Sequence, residues 1–402
     1  MKTREVKLGE VANVKGGKRI PKGIGLINIP NGHPYIRVRD LNNKRLLELD
    51  NSYEYVDNET QKVISKYTVK TGDVVLSIVG TIGLVAIVGR TLDGANLTEN
   101  CVKLSSFHGV NRDFLYYYLR SDCGQQEIRC GTVGAVQAKL PIKNIQNIAI
   151  NLPDYTTQER IASLLLSIDR KIELNQKIND NLEQQAVALF KSWFVDFSLF
   201  GGTVPENWED TTLENITTLI TRGIAPKYSD NSDQTVVNQK CIRNHTIDLS
   251  LARTHTPKAI NEKWLKFGDL LINSTGDGTL GRVAQVWFTP KALTVDSHVT
   301  IVRPAREELI FYIGLWGILH EKEIESLHTG STGQTELPRD RVKMLKLLLP
   351  DNISLSRFNS IITPMASTII SNQEENQKLA SLRDTLLPKF MSGEIDVSNI
   401  QF

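Results

Sequence analysis

The sequence has few residues that could form disulfide bonds or bind metal ions. Its 402 residues include four cysteines, Cys101, Cys123, Cys130 and Cys241, and no Cys-x-x-Cys pair. This sparse usage fits a reducing cytoplasm and argues against a structural zinc site. The seven histidines show no His-x-x-x-His spacing, so we expect no metal in this chain.

Long apolar runs are also missing. No stretch without a charged side chain exceeds 16 residues; one of that length is 74–89, and glycines at positions 80 and 83 interrupt it. Because a membrane-spanning helix needs about 20 apolar residues, this stretch is predicted to be a buried β-hairpin. The first ten residues lack the apolar core of a signal peptide. We therefore expect a cytoplasmic protein with no membrane partner.

Two nucleotide-binding motifs are absent. The sequence contains no Gly-x-x-x-x-Gly-Lys-Ser/Thr loop, which would hold the phosphates of ATP. It also lacks Asn/Asp-Pro-Pro-Tyr/Phe, the tetrapeptide that holds the target adenine in amino-methyltransferases. Neither ATP hydrolysis nor base methylation is therefore expected of this chain alone.

Basic residues are concentrated near the start of the chain. Residues 1–45 contain 11 basic and 3 acidic side chains, and residues 1–153 carry a net charge of +7. Residues 201–350 carry −1. A local basic excess indicates either a polyanion-binding surface or an ordinary solvated face.

An internal repeat organises the chain. Five residues recur 197 positions later: Gln137, Leu140, Pro141, Pro153 and Asp154 return as Gln334, Leu337, Pro338, Pro350 and Asp351. Before the Pro-Asp pair, short β-branched runs separated by turn residues predict strands, and after it a heptad pattern predicts a long helix. The predicted organisation is a mixed α/β domain at 1–153, a helix within 154–200, a second such domain at 201–350 and a second helix within 351–402.

The two helices carry matching seams of mostly apolar residues. The first seam contains Ile161, Leu165, Ile168, Ile172, Asn175, Ile178, Leu182, Gln185 and Leu189, and the second contains Phe358, Ile362, Met365, Ile369, Asn372, Glu375, Leu379, Leu382 and Leu386. We predict that the helices pack as an antiparallel coiled coil of about 60 Å, giving an α+β fold overall. Asn175 and Asn372 occupy equivalent positions, where each either fixes the register from a buried site or lies at the exposed edge.

The boundaries of the helices can also be predicted. A capping box from Thr156 to Glu159 starts the first helix, and Gly201-Gly202 ends it. Pro364 is expected to kink the second helix, which should end near Pro388. The matched seams further predict that residues 1–200 pair with a second copy through the first helix.

One pattern imitates a metal-dependent nuclease. Asp154, Asp169 and Lys171 follow the order Pro-Asp…Asp-x-Lys, in which carboxylates hold a divalent ion. That site needs the second acid and the lysine on a sheet, whereas Asp169 and Lys171 should lie on the polar side of the first helix. The second repeat has Ala366 and Thr368 at the same positions. We therefore predict no catalytic site in this chain.

Several segments resemble the specificity subunit of type I restriction–modification enzymes. The segment QERIASLLLSIDRKIELNQKINDNLEQQAVALFKSWFVDF (158–197) and LRDTLLPKFMSGEI (382–395) are similar to its two spacer segments. LGEVANVKGGK (8–18), GDVVLSIVGTIG (72–83) and NIAINLPDYTTQERI (147–161) follow the order of its target recognition domains. The resemblance covers essentially the whole chain.

The resemblance implies a non-catalytic, cytoplasmic subunit of a prokaryotic complex. In it, two target recognition domains each read one half of a bipartite site in double-stranded DNA, and the paired helices set the gap between the halves. Two modification (methyltransferase) subunits and ATP-driven restriction (translocase/nuclease) subunits would join it. The chain itself would bind no cofactor, while those partners would use S-adenosylmethionine, ATP and Mg²⁺.

Candidate DNA-binding residues follow from this role, because lysine and arginine supply phosphate contacts and base-edge readers. They are Lys15, Lys18, Arg19, Lys22, Arg37 and Arg39 in the first domain, Arg222, Lys227 and Arg243 in the second, and the matched loop amides Gln137 and Gln334. The amides either read an adenine edge or cap a turn. The aromatic residues 116–118 and Trp316 are predicted to be core.

Two other classes of function remain open. One is a coiled-coil adaptor whose end domains bind proteins, which the charge of residues 201–350 favours slightly. The other is a nuclease that uses Asp154, Asp169 and Lys171.

Overall fold

A computed structural model describes residues 3–41, 44–134, 137–276, 278–330 and 335–397. Its contacts divide the chain into two compact units. The first unit comprises Met1–Ile172 with Gln377–Phe402, and the second comprises Glu173–Asn376. Each unit therefore contains one globular region and parts of both long helices.

The first unit is built around a five-stranded sheet. The strands of the unit as a whole are β1 (Thr3–Lys7), β2 (Asn13–Gly16), β3 (Pro34–Ile36), β4 (Leu46–Leu47), β5 (Glu54–Tyr55), β6 (Val74–Ser77), β7 (Val85–Val88), β8 (Asn96–Leu97), β9 (Cys101–Ser105) and β10 (Ala149–Pro153). Its helices are α1 (Leu8–Val11), α2 (Asn58–Ile64), α3 (Arg112–Arg120), α4 (Asp122–Gly131), α5 (Ile142–Gln146) and the first part of α6 (Tyr155–Phe194). The sheet order is β2-β9-β6-β7-β4, with β5-β3-β8 and β1-β10 as separate sheets.

The centre of this sheet is fully buried. Strands β6 and β7 pair antiparallel and every one of their residues is buried, which confirms the hairpin predicted at 74–89. Gly83 turns the chain between them at a φ of +94°, a conformation that favours glycine. Helix α3 covers the sheet with Tyr116, Tyr117 and Tyr118, each at most 3% exposed, so these aromatics are core as predicted.

The second unit repeats this arrangement. Its strands are β11 (Glu209–Thr212), β12 (Thr217–Arg222), β13 (Thr235–Val237), β14 (Ile242–Arg243), β15 (Thr246–Ile247), β16 (Arg253–Thr254), β17 (Leu270–Asn273), β18 (Val283–Gln285), β19 (Leu293–Val295), β20 (Val299–Pro304) and β21 (Lys346–Leu349). Its helices are α7 (Ile310–Leu319), α8 (Glu321–Ser326), α9 (Arg339–Lys343) and parts of α6 and α10 (Asn352–Ser392). Trp316 in α7 is 3% exposed and belongs to the core, as predicted.

The strand pairings confirm the internal repeat. The antiparallel pair β1-β10 returns as β11-β21, and the parallel pair β3-β8 returns as β13-β19. The order β2-β9-β6-β7 returns as β12-β20-β17-β18. The predicted α+β fold, with two mixed α/β domains and two long helices, is therefore confirmed.

The repeated Pro-Asp pair starts both long helices. Asp154 accepts a hydrogen bond from the Thr157 amide at 3.0 Å, and Asp351 accepts one from the Ser354 amide at 3.0 Å. These aspartates are the N-caps, so the predicted capping box at Thr156 was wrong by two residues. A carboxylate at this position satisfies amides that the helix itself leaves unpaired.

Both predicted helix ends were also displaced. Helix α6 ends at Phe194, and a 3₁₀ turn at Ser198–Phe200 separates it from Gly201. Helix α10 is continuous through Pro364 and Pro388 and ends at Ser392. Because proline removes one intrahelical hydrogen bond, the packing of the surrounding turns must keep the helix intact at these two positions.

The long helices run antiparallel within each unit. In the first unit, Arg160 donates to the carbonyl of Val397 at 3.4 Å and Arg383 donates to Asp169 at 2.9 Å. In the second unit, Asn175 donates to Asn376 at 3.0 Å. From Arg160 to Asp169 the partners fall from Val397, which follows α10, to Arg383 within it, and from Asn175 to Asn179 they fall from Asn376 to Asn372. The predicted antiparallel packing is thus present in the part of each helix that belongs to a given unit.

Most seam residues are covered. Ile161, Leu165, Ile168, Asn175, Phe358, Ile362 and Ile369 are buried, and Ile172, Leu182, Leu189, Met365, Asn372, Leu379 and Leu386 are half-buried. Ile178 and Leu382, however, are 37% and 48% exposed, and Gln185 is exposed as well, so the heptad pattern was wrong at these three positions. A straight helix drifts from a strict heptad by about 20° per repeat, which carries edge positions into solvent.

Candidate nucleic-acid interface

The predicted basic loop begins at the edge of the first sheet. Strand β2 leads to Gly17, whose amide donates to the carbonyl of Cys101 at 3.0 Å. A Cβ at this glycine would lie 2.1 Å from the carbonyl oxygen of Thr98, so no larger residue fits. This close crossing fixes where Lys15, Lys18 and Arg19 leave the sheet.

The second unit has the same crossing at Gly223. Its amide donates to the carbonyl of Val299 at 3.1 Å, and a Cβ there would lie 1.9 Å from the carbonyl oxygen of Val295. Matching the two glycines places Ile224 at the position of Lys18 and Arg222 at the position of Gly16. The predicted basic residues of the two units therefore occupy different positions on the same arrangement of strands, which we call the backbone frame.

A cleft lies beside each crossing. The cleft of the first unit, about 260 Å³, is lined by Lys15, Lys66 and Lys103 together with Tyr67. The cleft of the second unit, about 350 Å³, is lined by Arg222, Lys263 and Arg339 but also by Glu336 and Asp340. The first cleft is therefore the more basic of the two.

Four of the predicted arginines are held by carboxylates. In the first unit, Arg19 pairs with Glu99 at 2.5 Å, and Arg37 and Arg39 both pair with Glu54. The hydrogen bond to Glu99 and its negative charge raise the pKa of Arg19 above its ordinary value. These pairs hold the guanidinium groups in fixed orientations and neutralise part of their charge.

Arg222 is the fourth of these arginines. It contacts Glu336 at 2.6 Å and donates to the carbonyl of Leu337 at 2.9 Å. Both contacts lie on the segment that follows Gln334, so this arginine ties β12 to the matched loop.

The remaining predicted cations are exposed, and their charges are less neutralised by neighbouring groups than those of the four arginines. In the described ranges, no carboxylate lies within ion-pair distance of Lys15, Lys18, Lys22, Lys227 or Arg243. The ammonium of Lys18 lies 5.6 Å from the centre of the Tyr67 ring, a cation–π contact. Exposed cations of this kind are suited to phosphate groups.

The matched loops are closed in the same way in both units. Val133 and Lys139 exchange backbone hydrogen bonds at 2.8 and 2.9 Å, and Thr329 and Glu336 do so at the same distances. Gln137 lies exposed inside the first loop. Gln334 lies outside the described residues, so the predicted role of this amide pair stays a prediction.

The residues of the nuclease pattern do not form a metal site. Asp154 caps α6, while Asp169 is 5% exposed and bonded to Arg383. The prediction that Asp169 lies on the polar side of the helix was wrong. Asp169 is buried against Arg383, which is 214 residues away in the sequence and therefore does not belong to the local pattern on which the prediction was based. Within the described ranges, no three His, Cys, Asp or Glu side chains are grouped as metal ligands.

Sequence reasoning missed several basic residues of this surface. Lys66 and Lys103 line the first cleft, and Lys263 donates to the carbonyl of Gly223 at 3.0 Å. Arg253 stacks on Tyr228 with 3.7 Å between its guanidinium carbon and the ring centre. The 197-residue offset links Lys66 to Lys263 and could have identified this pair.

Comparisons with known proteins point to one family. Residues 2–184 match the family described as "Type I restriction modification DNA specificity domain". The MjaIX type I restriction enzyme specificity subunit of Methanocaldococcus jannaschii is 25% identical, over 91% of this chain and 88% of its own length. The HindI specificity subunit of Haemophilus influenzae is 22% identical, over 67% and 73%.

A solved structure shares the fold. It is that of a type I restriction–modification S subunit from M. genitalium, which is 16% identical and has a TM-score of 0.57, with 97% of this chain and 96% of that chain covered. Among the described residues, no helix is long and apolar enough to span a bilayer. In sequence the chain is therefore similar to type I restriction enzyme specificity subunits, and it shares the fold of a solved S subunit.

Proposed function

We propose that this chain is the DNA-reading subunit of a type I restriction–modification complex and that each globular region reads one half of a bipartite target. The observation that carries this proposal is the repeated fold, in which one backbone frame carries two different sets of basic residues around Gly17 and Gly223. Two copies of one frame with different surface chemistry suit an asymmetric site with two unlike halves.

The basic residues divide into two groups with different roles. The exposed Lys15, Lys18 and Lys22, with Lys227 and Arg243, contact phosphates and supply affinity that is independent of sequence. The carboxylate-held Arg37, Arg39 and Arg222 are oriented groups suited to reading a guanine edge in the major groove. We also assign the matched loop amides Gln137 and Gln334 to base reading, on the basis of the sequence repeat.

The same proposal assigns the chemistry to partner subunits. Two modification subunits would carry S-adenosylmethionine and the adenine pocket, and restriction subunits would carry ATP and Mg²⁺. This chain would position them on the target through its helices and its DNA contacts, without binding these cofactors itself.

The proposal is tested by adding the purified chain to duplex DNA with and without its modification subunit. We expect sequence-selective retardation and adenine methylation when both are present, and neither methylation nor nicking by the chain alone. Binding that is equal on all duplexes and leads to no site-specific methylation would favour a protein-interaction adaptor. Metal-dependent nicking by the chain alone, abolished by Asp169→Ala, would favour a nuclease.

A further inference from the structure

A buried ion pair joins the two long helices in the first unit. Arg383 donates from Nη1 to Oδ1 of Asp169 at 2.9 Å, and the Tyr117 hydroxyl donates to Oδ2 at 2.6 Å. The side chain of Asp169 is 6% exposed and that of Arg383 is 20% exposed. The carboxylate is therefore a buried charge whose cation comes from the other helix.

The repeat places no such pair in the second unit. The 197-residue offset converts Asp169 into Ala366 and converts Arg383 into Ala186. Both alanines are buried in the apolar core of the second unit, at 2% and 0% exposure. Helices that are equivalent by sequence thus carry an ion pair at one position and two alanines at its equivalent.

A second polar contact between the helices is symmetric. In the second unit, Asn175 donates to Asn376 at 3.0 Å and Asn372 donates to Asn179 at 2.8 Å. The 197-residue offset converts each of these pairs into the other. If two copies of α6 packed together, the same asparagine contacts would form. These asparagine pairs therefore fix the register of the helices without distinguishing α10 from a second α6. Asn175 also donates to Glu375 at 2.7 Å, and this bond is specific to α10, because the equivalent residue of α6 is Ile178.

We propose that the Asp169–Arg383 pair selects α10 as the partner of α6 and opposes pairing between two copies of the first half of the chain. In a pair of first halves, Ala186 of the second copy would take the place of Arg383. Each Asp169 would then be buried without a cation, which is strongly unfavourable. In a pair of second halves, each Arg383 would face Ala366 and would keep only Asp384, its neighbour on α10, which it contacts at 2.8 Å.

Repeat symmetry alone predicts that residues 1–200 pair with a second copy, but the ion pair opposes this pairing. Matching seams favour self-pairing of residues 1–200, whereas the ion pair penalises it twice in every such dimer. The partner concerned is a second copy of this chain, so the inference does not rest on DNA reading.

The test starts from the full-length chain. A protease site is inserted between Gly201 and Gly202, which are exposed in the turn after α6. Two preparations with different tags on the first half are cleaved, mixed in urea and diluted to refold. Sequential capture on both tags then recovers the dimers of first halves that carry two different tags. With equal mixing these are about half of all such dimers, so twice their amount is subtracted from the total to give the native pairing of first with second halves.

We expect the native pairing to dominate in the unaltered chain. The double variant Asp169→Ala/Arg383→Ala recreates the alanine pair of the second unit, so dimers of first halves should rise at least about tenfold. The variant Ala186→Arg supplies Asp169 with a cation only in such dimers, and these should rise further. Ala186→Met is its matched control, because it adds similar bulk without charge and should raise them much less.

Two results would overturn the inference. One is a double variant whose dimers of first halves stay at the level of the unaltered chain. The other is Ala186→Arg and Ala186→Met giving equal amounts of these dimers. In the intact chain, urea unfolding of the two single variants and the double variant should show strong coupling between Asp169 and Arg383, and additive effects would count equally against the proposed selection.

Discussion

At the scale of single residues, the structure separates free cations from neutralised ones. Lys18 and Arg19 are neighbours in the basic loop, but only Arg19 has a carboxylate partner, Glu99. A free cation gives its full charge to a DNA phosphate, whereas a paired one must first exchange its carboxylate. The two residues should therefore contribute differently to DNA binding.

We expect Lys18→Ala to weaken binding to every duplex by a similar factor. It should flatten the dependence of log K on log salt by about one unit. Arg19→Ala should flatten it less, because Glu99 already offsets that charge. Binding of the complex with its modification subunit, measured between low and physiological salt, tests this, with Lys62→Ala on α2 as control. Loss confined to the cognate site would instead make Lys18 a base reader.

Asp351 should contribute to stability in a pH-dependent way. Burial raises its pKa, but hydrogen bonds from Ser354 and Trp208 outweigh this effect and lower the pKa to about 2. Because the folded pKa lies below the unfolded one, the contribution is complete above about pH 4 and is lost as the pH falls towards 2.

Asp351→Ala should therefore destabilise the chain by about 1 kcal/mol at neutral pH. Asp351→Asn retains a capping side chain and should cost less. Urea unfolding at neutral pH and again near pH 3 gives the free energy of unfolding of the parent chain and of both variants. If the difference in free energy of unfolding between Asp351→Ala and the parent chain grew on acidification, the assignment of Asp351 as the cap would be contradicted.

At the scale of elements, the spacing of apolar residues predicted the helices and strands better than the charge pattern predicted the surroundings of charged side chains. Heptads located both long helices, and β-branched runs located β6 and β7, because these patterns depend on near neighbours. The burial of Asp169 and the pairing of Arg19 depend on residues 214 and 80 positions away. No local pattern contains such information, so Asp169 was assigned to the polar side of the helix and the carboxylate partner of Arg19 was not predicted. The cap of α6 was missed by two residues because Asp154 and Thr156 are both favourable caps.

The helices also permit a test of spacing. Four residues inserted near Leu182 lengthen α6 by about 6 Å and add about one turn, which keeps the seam roughly in phase. A matched insertion near Ile369, three residues from the Asn372–Asn179 contact, lengthens α10 equally. We expect the double insertion to widen the recognised gap by about two base pairs without changing either half-site.

Insertion into α6 alone serves as the control for this experiment. It leaves α10 short, so it should disturb the cross-helix contacts and lower the unfolding midpoint. Methylation sites of both variants, mapped by sequencing, give gap and half-sites together. A double insertion that changed the bases read but not their separation would refute the role of α6 and α10 as a spacer.

At the scale of the whole molecule, the central claim is that one chain contains two independent readers. The duplicated frame, the matched crossings at Gly17 and Gly223 and the different basic residues around them all support it. The frame was predictable from the 197-residue repeat. The residues proposed to read bases were not, because the two repeats carry different residues around the matched glycines and because Gln334 lies outside the described residues.

The most direct test of this claim is to replace residues 201–350 with the corresponding region of a relative and sequence the methylated genome of cells that express the chimera with its modification subunit. We expect one half of the methylated sequence to change while the other half and the gap stay the same. A change in both halves would contradict independent reading by the two units.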